Sequence, residues 1–339
     1  MNVLAAATGL ALPPHLQLPV RTYAAIARDA QDRGYTRVWV TEAGSADAFA
    51  LLTACANTTS TVGLATGVLP IATRSPALTA QAAATVQDLS DGRFALGLGV
   101  STPVVVTNWS GLLWDGRLAR LREYVETVVD LLAGRTVDRA QGYYPMRGSR
   151  LLMEVPSVPP PVLLAALGPR MLALAGGLAD GALLNYAGAA AVSSLVRQVQ
   201  AAIPAPGRSV MVSAFVRACV IDDGVEAARS AAQREVMAKV VVPAYRRGFE
   251  AQGWGDACEA ALALWEAGDR RAAAASLPDA MTESIVLFGS AKDIRDRFAE
   301  FRATDLDEPV VYAVSTVRSA DAALDQFTAT MRALAPASD

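Results

Sequence analysis

The chain has 339 residues, of which 53% are hydrophobic and 19% charged, so it can bury a large core as one α/β barrel or two ordinary domains. The net charge of −3 and the scattered basic residues give no electrostatic footprint for nucleic acid or an anionic membrane. Arginine far outnumbers lysine and alanine is abundant, which is typical of GC-rich genomes such as those of actinobacteria.

The cysteines and the long apolar stretch bear on the cellular compartment. Cys55, Cys219 and Cys258 are far apart and odd in number, which indicates reduced thiols rather than disulfides. Residues 1–7 lack the basic start of a signal peptide. Residues 171–196 are apolar, but glycines break them into a helix, a turn, a strand and a helix rather than a membrane span. We therefore expect a cytoplasmic protein with no membrane segment.

Apolar strand-like runs alternate with helical periods in the first half of the chain. In chain order, the sequence predicts a strand at 3–8, a helix at 20–33, a strand at 37–41, a helix at 47–57, a strand at 62–68, a helix at 76–90, a strand at 94–100 and a helix at 117–132. Residues 134–160 interrupt this rhythm, and we interpret them as a long connection near the active face.

The alternation continues in the second half. The predicted elements are strands at 161–166, 182–185, 210–221 and 309–314, a short extended piece at 285–288, helices at 170–179, 291–302 and 320–334, and a long helical region at 224–274. Such repeated strand–helix units favour an α/β fold, a closed (β/α)8 TIM barrel, over an open doubly wound sheet. We expect one domain over residues 1–339, with an insertion after the fourth helix and an extended helical region after the seventh strand.

Motifs for the common catalytic classes are missing from the sequence. Gly97 and Gly99 follow a strand, but Thr102 stands where a dinucleotide fingerprint needs its third glycine. There is no Walker motif, zinc-spaced cluster or nucleophile elbow, and the one histidine, His15, lies in a proline-rich loop. With so few groups poised for catalysis near neutral pH, a bound cofactor is expected to carry any chemistry.

The turn after the fifth predicted strand is the best candidate for an anion site. It reads Ala166, Leu167, Gly168, and after Pro169 comes Arg170. Backbone N–H groups at a helix start attract phosphate, glycine permits close approach, and proline fits the first helical turn. The alternative is an ordinary strand-to-helix turn.

Other polar and aromatic residues follow the second and fourth strands. Glu42 ends the second strand, where its carboxylate would lie on the active face and accept a hydrogen bond from a ligand, or else cap a helix or form a loop salt bridge. Asn108, Trp109 and Trp114 would either wall an apolar substrate pocket or pack their loop onto the barrel.

The predicted strand ends and the loops that follow them, taken together in chain order, resemble the bacterial luciferase-like family, especially its branch that uses the deazaflavin coenzyme F-420. The resemblance covers residues 35–49, 62–76, 89–110, 162–185 and 284–314. It implies a (β/α)8 barrel whose flavin or deazaflavin lies at the carboxyl ends of the strands. It also implies a homodimer packed through barrel helices and a small-molecule substrate.

The resemblance also implies roles for individual residues. Glu42 matches an acidic position beside the deazaflavin, and the peptide after Thr66, between Gly67 and Val68, matches a non-proline cis bond behind the ring. The remaining cofactor-binding positions are Gly99, Val100 and Ser101 beside the ring, and Ala166, Leu167, Gly168 and Arg170 around the phosphate.

Two departures from the family bear on the substrate. Relatives that oxidise sugar phosphates have histidine where this chain has Ala43, and glutamate where it has Thr102. A sugar-phosphate dehydrogenase is therefore not expected. A larger and less polar substrate suits the chain better, with its proton coming from water, a tyrosine or Glu42.

Three functional hypotheses follow. The first is an oxidoreductase that moves hydride between reduced coenzyme F-420 and an organic C=C or C=N bond. The second is an FMN-dependent monooxygenase of the same fold, and the third is a non-catalytic ligand-binding barrel. Composition, Glu42 and the Gly67–Val68 pair favour the deazaflavin over FMN.

Overall fold

Eight parallel strands close into a barrel in the computed structural model, which describes residues 7–44, 46–115, 118–205, 207–221, 224–317 and 319–336. The strands of this part of the chain are β1 (Gly9–Ala11), β2 (Arg37–Val40), β3 (Gly63–Thr66), β4 (Leu69–Pro70), β5 (Phe94–Gly99), β6 (Val137–Arg139), β7 (Met146–Ser149), β8 (Val162–Ala165), β9 (Gly181–Asn185), β10 (Met211–Val220), β11 (Val286–Gly289) and β12 (Glu308–Ala313). The barrel order is β1-β2-β3-β5-β8-β9-β10-β12, closed by β12 against β1. The predicted TIM barrel is confirmed.

Helices connect these strands and cover the outside of the barrel. They are α1 (Val20–Asp32), α2 (Ala48–Thr58), α3 (Pro76–Leu89), α4 (Leu118–Leu132), α5 (Pro169–Leu178), α6 (Ala189–Gln200), α7 (Val225–Val240), α8 (Pro243–Phe249), α9 (Gly255–Glu266), α10 (Arg270–Ala275), α11 (Asp279–Ile285), α12 (Ala291–Arg302) and α13 (Ala320–Ala333). Side chains cap several of them: the Asp47 carboxylate accepts the Ala50 N–H at 2.9 Å, and Ser290 forms a capping box with Asp293.

The first strand lies further along the chain than predicted. β1 begins at Gly9, whereas the expected strand ended at Thr8; residues 3–6 of that prediction lie outside the described residues. Gly9 pairs with Arg37 on one side and Val310 on the other. A Cβ at Gly9 would lie 2.8 Å from Trp39 Nε1, so the small residue leaves room for a large neighbour inside the barrel. The apolar run at the start of the chain gave no hint of this register.

The predicted connection at 134–160 contains an antiparallel hairpin of β6 and β7. The Glu123 carboxylate on α4 accepts the backbone N–H groups of Tyr143 at 3.0 Å and Tyr144 at 2.7 Å, and it pairs with Arg139 at 3.2 Å. These contacts fasten the hairpin to the barrel. Its strands are mostly polar and exposed, so no apolar alternation marks them in the sequence.

A layer of apolar side chains fills the middle of the barrel. It consists of Ala11, Trp39, Ala65, Ala95, Leu163, Leu183, Phe215 and Val310. At the amino-terminal end of the strands, Arg37 forms an ion pair with Glu308 at 2.9 Å. The mouth, where sites of this fold lie, therefore begins above the apolar layer at the carboxyl ends of the strands.

Helices α7 to α11 follow β10, where the sequence predicted an extended helical region, and they pack around an apolar cluster of their own. It includes Val236, Met237, Phe249, Met281 and Tyr186. No helix in the described ranges is long and apolar enough to cross a membrane. All three cysteines are buried and free.

Candidate functional site

The mouth of the barrel has two unlike halves. Side chains alternate between the inside and outside of each strand, so the inward positions two residues beyond the apolar layer line the mouth. On β3, β5 and β8 these positions are small: Gly67, Gly97 and Ala165. On β9, β10 and β12 they are large and polar: Asn185, Arg217 and Tyr312. One half can therefore accept a flat ring, and the other faces it with hydrogen-bonding groups.

The small half is built around the end of β3. The peptide between Gly67 and Val68 is cis, which confirms the prediction. The Thr41 hydroxyl donates to the Gly67 carbonyl at 2.8 Å. Thr66 is fully buried and bonds both backbone groups of Gly97 at 2.8 Å, so its side chain holds β3 to β5 rather than facing the mouth.

The missing side chain at Gly99 lets Val68 lie close against β5 in this half. A Cβ at Gly99 would lie 2.7 Å from Val68 Cγ2 and 3.3 Å from the Ala165 Cβ. Ser101, just beyond, has a φ of +59°, and the Val100 carbonyl accepts a hydrogen bond from Trp114 Nε1 at 3.1 Å. The backbone that follows β5 is thus folded back beside the small surface.

The two tryptophans of this loop belong to its packing. Trp114 is tied to Val100, and a Cβ at Gly44 would lie 3.5 Å from the Trp109 ring, which places Trp109 over the loop that follows β2. Trp109 is 62% exposed, so it does not form a buried pocket wall here. Asn108 belongs to the same π-helical segment, Val104–Trp109.

The turn before α5 presents free backbone donors. Ala166 N–H donates to the Leu183 carbonyl at 3.1 Å, which leaves this residue part of the sheet. The N–H groups of Leu167, Gly168 and Arg170 form no hydrogen bond within the described ranges. A Cβ at Gly168 would meet nothing within 4 Å. These observations fit an anion bound at the start of α5.

Glu42 has partners of its own in the structure. Its carboxylate accepts the Ala48 N–H at 3.1 Å and pairs with Arg74 Nη2 at 3.3 Å, and Arg74 also pairs with Asp47. Burial alone would lower the pKa of Arg74, but Glu42 and Asp47 outweigh it and raise the pKa. Glu42 thus anchors the start of α2, and its role toward a ligand stays a prediction.

The polar half centres on Arg217, whose side chain is 4% exposed. Its Nη1 donates to Asn185 Oδ1 at 2.7 Å and its Nε to Glu235 Oε1 at 3.3 Å. The Tyr186 hydroxyl donates to the same Glu235 oxygen at 2.5 Å. Burial would raise the pKa of Glu235, but Arg217, Tyr186 and Lys239 outweigh it and hold the pKa below its ordinary value. The pair is therefore ionised near neutral pH.

Aromatic rings surround this ion pair. The Arg217 guanidinium lies 4.8 Å from the Tyr312 ring centroid, and Lys239 Nζ lies 5.5 Å from that of Tyr186. Burial raises the pKa of Tyr312 to about 12, although Arg217 partly offsets this, so the phenol stays protonated. Tyr245 packs edge-on against Tyr186 at 5.1 Å.

The sequence analysis missed this polar half. Arg217 is the one charged residue in the predicted strand 210–221. Its side chain lies on the same inward face of the strand as those of Ser213 and Phe215. A charge at an inward position of an apolar strand was the available signal. No group of metal-ligating side chains occurs in the part of the chain that the structure describes.

Comparisons with known proteins agree with this geometry. A family model described as luciferase-like monooxygenase matches residues 3–308. A Mycobacterium tuberculosis protein provisionally named as a coenzyme F-420-dependent oxidoreductase is 28% identical over 90% of this chain and 94% of its own. The 5,10-methylenetetrahydromethanopterin reductase of Archaeoglobus fulgidus is 29% identical over 83% and 86%. The solved coenzyme F-420-dependent tetrahydromethanopterin reductase of Methanopyrus kandleri shares the fold, with a TM-score of 0.75, 22% identity and coverage of 95% and 96%.

Proposed function

The chain belongs to the luciferase-like monooxygenase family, and from this premise we propose that it is an oxidoreductase that moves hydride between coenzyme F-420 and a small organic substrate. The name of the Mycobacterium tuberculosis relative supports the cofactor. The observation that carries the proposal is the small half of the mouth. It combines small inward residues on β3, β5 and β8 with unbonded backbone N–H groups at the start of α5. Together they supply a flat surface for a ring and free donors for a phosphate.

The residues of the small half fit a deazaflavin. Val68 and Gly99 would lie behind the ring, with Val100 and Ser101 beside it. The N–H groups of Leu167 and Gly168 would hold the phosphate, with further charge from the exposed Arg170. When bound, the deazaflavin supplies or accepts hydride at a ring carbon.

The protein's own contribution is position and enclosure. The glycine-lined surface fixes the plane in which a ring can lie, and the opposite half fixes the place of a substrate. We propose that the substrate carries a C=C or C=N bond that is polarised enough to accept hydride. Its proton would come from water or from a side chain of the mouth.

The family's monooxygenase description supports an FMN enzyme as the second candidate. Both ring systems present similar faces and a phosphate, so the backbone of the small half suits either. The two differ toward oxygen, because the deazaflavin has carbon where flavin has the nitrogen that assists oxygen chemistry. A non-catalytic barrel would bind a cofactor and turn nothing over.

An anaerobic turnover experiment tests the proposal. The protein is mixed with reduced coenzyme F-420 and a panel of conjugated ketones and imines, and cofactor oxidation is followed by its visible absorbance. We expect reduction of at least one panel compound at a rate that oxygen does not raise. A product that forms only with reduced FMN and oxygen, and that contains an added oxygen atom, would replace the proposal with the monooxygenase.

A pair of glycine variants in α5 provides the control for that experiment. Gly168→Val blocks the open start of the helix, whereas Gly177→Val adds the same side chain on its exposed side, where the nearest atom to a new Cβ is a carbonyl oxygen at 3.6 Å. Turnover at low cofactor concentration should fall only in Gly168→Val.

The expected homodimer and cytoplasmic location stay predictions. Light scattering coupled to size-exclusion chromatography tests the homodimer.

A further inference from the structure

We propose that Arg217 and Tyr312 form a subsite for an anionic oxygen of the substrate, which makes the substrate an organic acid or an enolisable carbonyl compound. The inference rests on the proposed function for its place in the reaction, because it names what lies opposite the cofactor surface. The binding chemistry itself depends only on side chains of this chain.

The two residues are neighbours on adjacent strands. Arg217 of β10 is in register with Tyr312 of β12, and both occupy inward positions above the apolar layer. The Tyr312 ring packs on Phe215, which belongs to that layer, with centroids 5.3 Å apart. Across the barrel from the two polar side chains, the inward positions of β3, β5 and β8 carry only small residues.

Arg217 is fixed in place and still has a donor to offer. Its Nε and Nη1 are bonded, but Nη2 has no hydrogen-bond partner within the described ranges. Nη2 is not among the fully enclosed atoms that lack a partner, so this nitrogen keeps some accessible surface although the Arg217 side chain is only 4% exposed. A guanidinium that is already ordered loses little conformational freedom when it binds a ligand oxygen.

Tyr312 supplies a second donor beside it. Its hydroxyl has no hydrogen-bond partner among the described side chains and backbone groups. The hydroxyl oxygen is not among the fully enclosed atoms that lack a partner, so it also keeps some accessible surface. Because the phenol stays protonated, its O–H can donate to an oxygen. Two donors on paired strands are the number that one carboxylate or enolate oxygen accepts through its lone pairs.

The charges around the subsite favour an anion. Arg217 and Lys239 carry two positive charges and Glu235 one negative charge, which leaves an excess of one positive charge. Burial lowers the pKa of Lys239, and Glu235 partly offsets this. The neighbouring Tyr186, Tyr245 and Tyr312 are neutral because their pKa values are raised by burial. The exposed His15 interacts with Glu235 from the β1 side.

The other end of the barrel shows what a balanced arrangement looks like. There, Arg37 is matched by Glu308, which also accepts hydrogen bonds from Thr36 at 2.9 Å and Ser213 at 3.3 Å. A buried cation that lacks its full complement of anions is costly, so the mouth cluster gains more from an incoming carboxylate than a balanced pair would.

Binding of benzoate and of its neutral analogue benzamide tests the proposal by calorimetry on the full chain. We expect benzoate to bind and benzamide to bind at least about tenfold more weakly. Arg217→Gln and Tyr312→Phe should each weaken benzoate by about tenfold or more. Arg37→Gln removes an ion-paired arginine at the opposite end and should leave benzoate binding unchanged.

Equal affinities for the two probes would overturn the proposal, and so would unchanged benzoate binding in a folded Tyr312→Phe variant. Tyr312→Phe keeps the test valid if Arg217→Gln does not fold, because it deletes one oxygen and no charge. Failure of the proposed function is seen separately: the protein would then bind benzoate in the expected way but neither bind nor use coenzyme F-420.

Discussion

The guanidinium carbon of Arg217 lies 3.3 Å from the centroid of the Tyr186 ring, and both side chains bond to the same oxygen of Glu235. Tyr186 adopts a left-handed backbone conformation, with φ of +56°, just after β9. The stacked pair and the shared carboxylate hold the arginine at the floor of the mouth. The polar half is therefore organised before any substrate arrives.

Glu235 should make stability depend on pH in the acid range. Its pKa in the folded protein is lower than the ordinary 4.5, so its contribution to the free energy of unfolding is complete above about that pH and is lost as the pH falls through the lower value. Glu235→Gln lacks this contribution. The difference in unfolding free energy between the two proteins, from urea titrations, should be constant near neutral pH and shrink below pH 4.5. A difference that stays constant into the acid range would contradict the ionised pair.

Gly168→Val should weaken coenzyme F-420 binding by more than about tenfold, or about 1.4 kcal/mol, without unfolding the protein. The φ of −134° and ψ of 166° at Gly168 suit a β-branched residue, and the added atoms meet nothing within the chain. They would instead occupy the space of the anion. Fluorescence titration measures the affinity and thermal unfolding the stability. An unchanged dissociation constant would place the phosphate elsewhere.

Glu42→Gln and Arg74→Gln separate two roles of one ion pair. If Glu42 also accepts a hydrogen bond from the cofactor, Glu42→Gln should weaken F-420 binding about tenfold more than Arg74→Gln, since a bond to a charged acceptor contributes roughly 1.5–3 kcal/mol. Both variants break the ion pair between Glu42 and Arg74, whose side chains are each 18% exposed, and Arg74→Gln also removes the pairing with Asp47. Equal losses of affinity would mean that Glu42 acts only by holding Arg74 and α2.

Glu308→Ala should cost about 3 kcal/mol of unfolding free energy, because it leaves the Arg37 guanidinium without its carboxylate at the closed end of the barrel. The Glu308 side chain is 2% exposed. Asp32→Ala breaks an ion pair with Arg28 that is about 60% exposed on both sides and should cost no more than about 0.5 kcal/mol. Urea unfolding measures both, and similar costs would contradict the structural role of Glu308.

The elements that sequence periodicity predicted well are those with one clear apolar face or run. The helix at 291–302 matches α12 residue for residue, and the strand at 94–100 differs from β5 by one residue. The first strand was misplaced because Gly-Leu-Ala carries almost no strand signal, and its position depends on pairing with β2 and β12.

The site divides in the same way. The family resemblance implied the cis bond between Gly67 and Val68, and the local Gly168-Pro169 pattern predicted the start of α5; the structure contains both features. Arg217 lies on β10, Tyr312 on β12 and Tyr186 just after β9, and their grouping depends on barrel closure and strand register. No local pattern contains that information, so only the folded barrel brings the three together.

Side-by-side titration with coenzyme F-420 and FMN, followed by quenching of the five tryptophans, tests the central claim most directly. The account predicts saturable binding of F-420 with a dissociation constant below about 1 μM, corresponding to about −8.2 kcal/mol, and at least about tenfold weaker binding of FMN. Gly168→Val should lose the F-420 signal while Gly177→Val keeps it. Tighter binding of FMN, or quenching by neither cofactor in a folded protein, would contradict the account.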